Sequence, residues 1–512
     1  MTANFEEPFD SGSTITPAKK PAAPQKKPAS AIGWAAVGFW SGQLISLGTF
    51  LVLVTILAPI DIGHFALALI VQMFIGAFVD KAMGEVVIQR SDPSEEMLST
   101  AFFMDVGLAI ILVASAFVLA QPIASLLGSQ DLVPVLRVLV FATLLGTLGN
   151  IPLAILEKRL DFQRSIKIAV AAQIIAGASA IALALLGWGI WALVANQIVV
   201  TFLKSGLAWI GAGWRPRLIF RFSIARTLFA FWANTIAFRL TYFARYNTDR
   251  LIIGMVLGPT ILGFYAIAHR VVETVNDTFC EGVAKSILAV LSPLQKDRDQ
   301  VADVLLIYAR NTAILAFPIF VGLALIGPDL IILMFGERWS EAAFILPYLS
   351  VAGLAFLMVY LFGISFRAIG CAHVNFWMFA TAVIFDAIIL VTLLPIGLYV
   401  CLMALVVRAW LYLPVAAVVF SRLFGRPIGE IALTLSAGAI GGAALALVLL
   451  LLSSMPTIDD LERPMHFAFL FAISGVLYLA FIALFARSFI IQAIEFTQQS
   501  VGIPPSWRKR NA

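Results

Sequence analysis

Apolar runs of roughly 20 residues recur along the chain from position 31 to position 486, separated by short polar stretches. That length carries an α-helix across the hydrocarbon core of a bilayer. A transmembrane β-barrel would instead alternate in segments of about 10 residues, and these runs are continuous. They read as fourteen spans, at 31–56, 62–88, 99–120, 134–156, 168–187, 190–211, 227–257, 262–291, 303–327, 343–366, 374–395, 397–420, 430–453 and 467–486. The connections are short, and none is long enough for a soluble domain. The pattern predicts an all-α polytopic membrane protein. Composition agrees: 61% of the 512 residues are hydrophobic and 12% are charged, where a soluble domain carries about a quarter charged residues.

Charge placement orients the spans. With a cytoplasmic N-terminus, the segments facing inward carry 22 Lys and Arg residues and those facing outward carry 2, Arg338 and Arg463. Basic residues gather on the cytoplasmic side of membrane proteins, so both termini are expected inside. The net charge of +5 is then a topology signal, and no nucleic-acid partner is expected. Residues 1–30, with PAKKPAAPQKKPAS, are too polar and Pro-rich to bury a core and are expected to be disordered. They precede a full-length span, which is not the pattern of a cleavable signal peptide. Residues 487–512 form a cytoplasmic C-terminal tail. Cys280, Cys371 and Cys401 lie far apart in or beside apolar segments and the chain has 4 His. Neither a disulfide framework nor a metal site is expected, and no cofactor.

The chain repeats itself. LAPIDIGHFALA at 57–68 returns as LGPTILGFYAIA at 257–268: Leu57, Pro59, Gly63, Ala66 and Ala68 match Leu257, Pro259, Gly263, Ala266 and Ala268, and Phe65 stands against Tyr265. AILEKRLDF at 154–162 is echoed by AIGCAHVNF at 368–376. Six spans separate the copies in each pair, so both copies have the same orientation. Such a parallel repeat relates two bundles by an axis along the membrane normal. The expected organisation is an N-lobe of spans one to six (31–212), a cytoplasmic amphipathic linker (213–226), a C-lobe of spans seven to twelve (227–420), and two added helices (421–486). Two parallel-repeat six-helix lobes around a central cavity suit alternating access.

LAPIDIGHFALA, DKAMGEVVIQR at 80–90, TDRLIIGMVLGPTILGFYAIAHRV at 248–271 and FGERWSEAAFILPYLS at 335–350 resemble the polysaccharide transporter, or Wzx-type flippase, family of the multidrug/oligosaccharidyl-lipid/polysaccharide flippase superfamily. The resemblance covers about residues 30 to 490. It implies movement of an undecaprenyl-pyrophosphate-linked oligosaccharide across a bacterial inner membrane for exopolysaccharide, O-antigen or capsule synthesis. It also implies partnership with polymerase or glycosyltransferase machinery, and leaves H+ or Na+ open as a coupling ion.

Such a substrate needs a wet cavity with cationic groups, so charges within spans are the candidates, since they usually face an interior or a cavity. In span seven, Arg239, Tyr242, Tyr246 and Asp249 recur at helical spacing on one face, bordered by Arg245 and Arg250. One reading is an anion site, because guanidinium groups match phosphate oxygens. The other is packing, with Asp249 holding Arg245 or Arg250. In span eight, Arg270, Glu273, Asp277, Glu281 and Lys285 form one polar stripe. It either lines the cavity, with Asp249, Glu273 or Asp277 as coupling carboxylates, or is a salt-bridge ladder. Lys204 in span six is a further cavity candidate. Asp386 and Arg408 are expected to pair across helices, Lys81 and Glu85 along one, and Arg310 to snorkel. The four arginines of the linker reach lipid headgroups or serve as topology signal.

Two other classes compete. A drug or cation antiporter of the same superfamily wants carboxylates in its cavity, whereas span one lacks charge and span seven leans basic. A membrane glycosyltransferase, polymerase or ligase wants a sizeable outer loop. The longest ones here are QPIASLLGSQDLV and SSMPTIDDLERPMH, with no nucleophile–base pair and no phosphate-cradling glycine loop. The expectation is a transporter and not an enzyme.

Overall fold

A computed structural model of the chain describes residues 28–79, 82–90, 93–159, 161–291, 298–455 and 463–485. Residues 1–27 of the tail expected at 1–30, the tail expected at 487–512, and Asp80 and Lys81 lie outside these residues, while Pro28, Ala29 and Ser30 already belong to the first helix. Every regular element among the described residues is helical. The order is α1 (Pro28–Ile56), α2 (Pro59–Val79), α3 (Ala82–Gln89), α4 (Glu95–Val118), α5 (Ala120–Leu126), α6 (Leu132–Lys158), α7 (Phe162–Leu185) and α8 (Ile190–Ala212). There follow α9 (Phe222–Leu291), α10 (Arg298–Leu325), α11 (Gly327–Phe335), α12 (Ser340–Ala368), α13 (Ala372–Leu393), α14 (Leu398–Phe424), α15 (Ile428–Ser453) and α16 (Arg463–Phe485). A lipid-exposed backbone must satisfy its own N–H and C=O groups, which is why spanning segments this apolar become helices.

Twelve of these stretches are long and apolar enough to cross a membrane among the described residues. One of them, Arg239–Ala284, is two arms of α9 folded back at Gly258, whose backbone is non-helical at φ 83°, ψ 173°. Glycine takes that positive φ without strain, and Pro259 next to it has no N–H to continue the ladder. The reversal expected between spans seven and eight is thus a sharp joint with no loop. With α1 as a further apolar helix, the set is compatible with fourteen spans.

The linker is shorter than expected, since α9 begins at Phe222. Gly213, left-handed at φ 60°, ends α8. The following segment lies along the start of α4. Trp214 Nε1 donates to Glu95 Oε2 at 3.1 Å, and the backbone N–H groups of Arg217 and Arg221 donate to the hydroxyls of Ser99 and Thr100. Arg221 also pairs with Glu96.

In the N-terminal half, α1 packs on α7, α7 on α8, α8 on α6 and α6 on α4; in the other, α12 packs on α9, α10 and α14, and α13 on α9. The helices α15 and α16 add to the outside of α10. The most extensive contact is between α2 and α9, across the halves. There the repeated motifs meet each other. A Cβ on Gly63 would lie 1.6 Å from the Pro259 carbonyl oxygen, and a Cβ on Gly263 would lie 2.0 Å from the Pro59 carbonyl oxygen. Small residues let helix backbones approach closely in a membrane, where packing drives association. One apolar core joins both halves at this end, with Leu53, Leu57 and Leu67 against Ile253, Leu262 and Leu346. Toward the other end the cores separate: Val87, Leu98 and Ile151 belong to one, Leu291, Phe366 and Phe420 to another.

Candidate functional site

Between the halves lies a cavity of about 620 Å³, lined by α1, α2, α6, α7, α8 and both arms of α9. Its charged lining residues are Lys204 on α8 and Arg250, Arg270 and Glu273 on α9. Apart from Lys204, its N-terminal side is polar and uncharged, with Gln72, Thr143, Asn150, Gln173, Asn196, Gln197 and Thr201. Gln197, Thr201 and Lys204 follow at i, i+4 and i+7, so one face of α8 supplies two of these polar groups together with the ammonium.

Arg250 is held at the wall by two neighbours on the second arm of α9. Its Nη2 lies 2.6 Å from His269 Nδ1 and 3.2 Å from Glu273 Oε1. Arginine is donor-only, so His269 accepts at Nδ1 and carries its proton on Nε2. That nitrogen faces Asp249 Oδ2 at 3.8 Å. Asp249 Oδ2 also accepts from the Tyr265 hydroxyl. Arg270 Nη1 stands 3.6 Å from Glu273 Oε2 one turn away. Glu273 therefore anchors both cavity arginines of α9, whose side chains keep 16% and 30% exposure toward the space between the halves.

A second, smaller cavity of about 160 Å³ lies within the C-terminal half, among α9, α12, α13 and α14. Arg245, Tyr246, Asp249, His269, Glu273, Asp277, Asp386 and Arg408 line it. Asp386 is its electrostatic centre. It pairs with Arg408, and Arg245 Nη1 lies 3.7 Å from its other oxygen. Each guanidinium also sits over an aromatic ring: Arg245 over Phe356 at 5.0 Å and Arg408 over Tyr412 at 5.4 Å. Such cation–π contacts hold a desolvated cation with about 2 kcal/mol or more. Glu273 is the carboxylate that lines both cavities.

The single face read from span seven divides in the structure. Arg250 faces the central cavity, while Arg245, Tyr246 and Asp249 face the smaller one. Arg239 and Tyr242 line neither: Arg239 Nη2 pairs with Glu85 Oε1 at 2.9 Å on α3, and Tyr242 is 57% exposed with its ring against Tyr246. The physical reason is curvature of lining. At 100° per residue a helix wedged between two cavities presents neighbouring positions to different spaces. The packing alternative named Asp249 as partner of Arg245 or Arg250. Those arginines take Asp386 and Glu273 instead. Of the span-eight stripe, Arg270 and Glu273 reach the central cavity and Asp277 the smaller one. The side chains of Glu281 and Lys285 lie outside those described. Glu85 meets Arg239, and its expected partner Lys81 lies outside the described residues. The expected Asp386–Arg408 pair is present, and the three cysteines are free thiols.

Sequence reasoning missed His269 and the amides of the N-terminal half. His269 had a signal, since it falls one turn after Tyr265 and one turn before Glu273. The amides had one too: Gln197 shares a face with Lys204.

The chain matches the model of a family described as "Polysaccharide biosynthesis protein" over residues 52–344. It is 22% identical to the succinoglycan biosynthesis transport protein ExoT of Rhizobium meliloti, over 68% of this chain and 70% of that one. It is 25% identical to the teichuronic acid biosynthesis protein TuaB of Bacillus subtilis, over 69% and 72%. It is 24% identical to the lipopolysaccharide biosynthesis protein WzxC of Escherichia coli, over 64% and 68%. In fold it resembles the inward closed conformation of the lipid II flippase MurJ, with a TM-score of 0.70 at 14% identity over 89% of this chain and 99% of that one. It also resembles the inward-facing conformation of a multidrug resistance MATE family transporter, with a TM-score of 0.53 at 16% identity over 81% and 95%. The chain is therefore a multi-pass membrane protein that belongs to the polysaccharide biosynthesis protein family, with a fold like that of MurJ and of a MATE family transporter.

Proposed function

We propose that this protein is a flippase. It moves an oligosaccharide repeat unit, linked through pyrophosphate to undecaprenol, from the cytoplasmic to the periplasmic leaflet of a bacterial inner membrane. The unit then enters synthesis of a surface polysaccharide. The N-lobe (31–212) and C-lobe (227–420) rock about the seam between α2 and α9, with 421–486 as an addition and both termini cytoplasmic. The observation that carries the reading is the cavity between the halves, where Lys204, Arg250 and Arg270 stand against Glu273 alone among charged lining residues. A cationic cavity in a low-dielectric setting attracts an anionic linkage and repels a cationic drug. Arg250 presents planar donors suited to phosphate oxygens, and Glu273 and His269 set its position. Glu273, shared by the two cavities, is the coupling carboxylate of this reading, with Asp249 and Asp277 behind it. Three relatives named for polysaccharide biosynthesis or transport support the same substrate class.

The test is made in cells lacking the gene. Undecaprenyl-linked lipids are extracted and analysed by mass. One oligosaccharide-bearing lipid is expected to accumulate while its polymer disappears from the surface, with both effects reversed by the wild-type gene. Unchanged lipids and polymer, with altered sensitivity to cationic drugs, would move the reading to the antiporter branch.

A further inference from the structure

Residues 213–221 join α8 to α9, and their surroundings fix where they lie. Ile190–Ala212 and Glu95–Val118, the apolar lengths of α8 and α4, are each long enough to cross a membrane. The segment leaves the end of the first and lies along the start of the second. Trp214 is buried, stacks on Trp209 of α8 with ring centroids 5.8 Å apart, and donates to Glu95. The backbone N–H groups of Arg217 and Arg221 donate to Ser99 and Thr100. A strap tied to the ends of two spans lies at the membrane surface.

Held there, it exposes two kinds of side chain. Leu218 and Phe222 are 94% and 79% exposed, and Phe220 is exposed between them. Arg215, Arg217, Arg221 and Arg226 are exposed along the same stretch. Arg221 is paired with Glu96. The guanidinium groups of Arg215, Arg217 and Arg226 meet no acid among the described residues. Bulk water penalises three large bare apolar side chains, and the hydrocarbon core penalises three unpaired guanidinium groups. The headgroup boundary suits both, because apolar side chains enter the acyl region while arginines stay at the level of the phosphates. A zwitterionic headgroup carries its own cation beside its phosphate. An anionic phospholipid does not, so it is the occupant whose charge complements three unpaired arginines.

We propose that residues 213–226 are a binding strap for anionic phospholipids. Leu218, Phe220 and Phe222 lie among acyl chains, and Arg215, Arg217 and Arg226 lie on headgroup phosphates. The strap is tied to α4 and runs into the first turn of α9, so the lipids it holds sit where the two halves are linked. This goes beyond the flippase reading and needs only a chain that crosses a membrane.

The test uses the full-length protein without Cys280, Cys371 and Cys401, with Leu218→Cys carrying an environment-sensitive fluorophore. It is placed in vesicles of equal parts phosphatidylcholine and phosphatidylglycerol. Bromine on the acyl chains of one lipid or the other quenches the fluorophore on contact, so the two quenching strengths report the local lipid composition. An arginine near an anionic surface is worth roughly a fivefold preference, and phosphatidylglycerol is expected to be enriched by at least that factor at position 218. A fluorophore on Val476→Cys, an exposed position of α16, is expected to be quenched equally by both lipids. Raised salt screens exposed charges and should bring position 218 toward equal quenching. Glutamine at Arg215, Arg217 and Arg226 should do the same, and lysine at those three positions should restore the preference. Equal quenching at position 218 in the parent, or a preference untouched by salt and by the glutamine variant, would overturn the proposal. So would a position 218 quenched by neither lipid while position 476 is quenched by both, which would put the strap in water or against another protein. No probe here is an isoprenoid pyrophosphate, so each of these failures leaves the flippase reading standing.

Discussion

At the scale of single residues, Arg250 carries the most. It is the arginine of α9's first arm that reaches the central cavity, and its fork is already aimed by His269 and Glu273. A charge-assisted hydrogen bond to an anion contributes about 1.5–3 kcal/mol, a factor of 10 to 100 in affinity. Arg250→Gln is therefore expected to slow transport by at least 10-fold, read as accumulation of the lipid-linked unit in complemented deletion cells. Arg250→Lys keeps charge but loses the planar fork, so it recovers only part of the rate. Normal transport by Arg250→Gln, at wild-type protein level, would remove the anion role. The sequence made Arg250 visible as a charge inside a span. It left Arg245, Arg250 and Asp249 indistinguishable, because which of two cavities a position faces depends on helix rotation between neighbours. His269 shared a helix face with Tyr265 and Glu273, but its partner was not legible: the imidazole meets Arg250 only because the fold of α9 at Gly258 brings it back beside residue 250.

At the scale of elements, Asp386 is where α9, α13 and α14 are tied together in the C-terminal half. It stands between Arg408 and Arg245, 9% exposed. Removing one partner of a buried ion cluster leaves uncompensated charge and destabilises by about 3 kcal/mol or more. Asp386→Asn is expected to lower the thermal unfolding midpoint of the purified protein, and Arg408→Gln in the same background to restore part of it by removing the excess cation. An unchanged midpoint in Asp386→Asn would mean that these helices are held by apolar packing alone. Helix positions were legible in the sequence because a span announces itself by length and hydropathy. The pair Asp386–Arg408 was legible too, as two charges at similar depth in adjacent spans. Arg245 as its third member was not, since that contact joins spans four apart in the chain. The amphipathic linker was read too long: the first turn of α9 is polar enough to look like loop, yet Phe222 to Arg226 are helical.

At the scale of the whole molecule, the duplicated Pro–Gly motif explains how the halves meet. The sequence showed that Gly63 and Gly263 are equivalent. It gave no sign that each would lie under the carbonyl of the other copy's proline, because a repeat specifies two similar surfaces and not their docking. The contact is reciprocal, so the two glycines should respond alike. Any added Cβ would lie within 2.0 Å of a backbone oxygen, and backbone cannot rotate away as a side chain can. Overpacking of this kind costs about 1–3 kcal/mol, and the cheapest relief is separation of α2 from α9. Since one core spans both halves at that end and two separate cores lie toward the other, the seam is the natural closure of the cavity on the side expected to face the periplasm. A cysteine replacing Ala66, which lines the cavity, reports on it in a background without Cys280, Cys371 and Cys401. Gly63→Ala and Gly263→Ala should each raise labelling of that cysteine by an impermeant maleimide several-fold over the parent. Labelling unchanged in both would show that the halves separate elsewhere. A rise in one alone would break the reciprocity that the paired motifs imply.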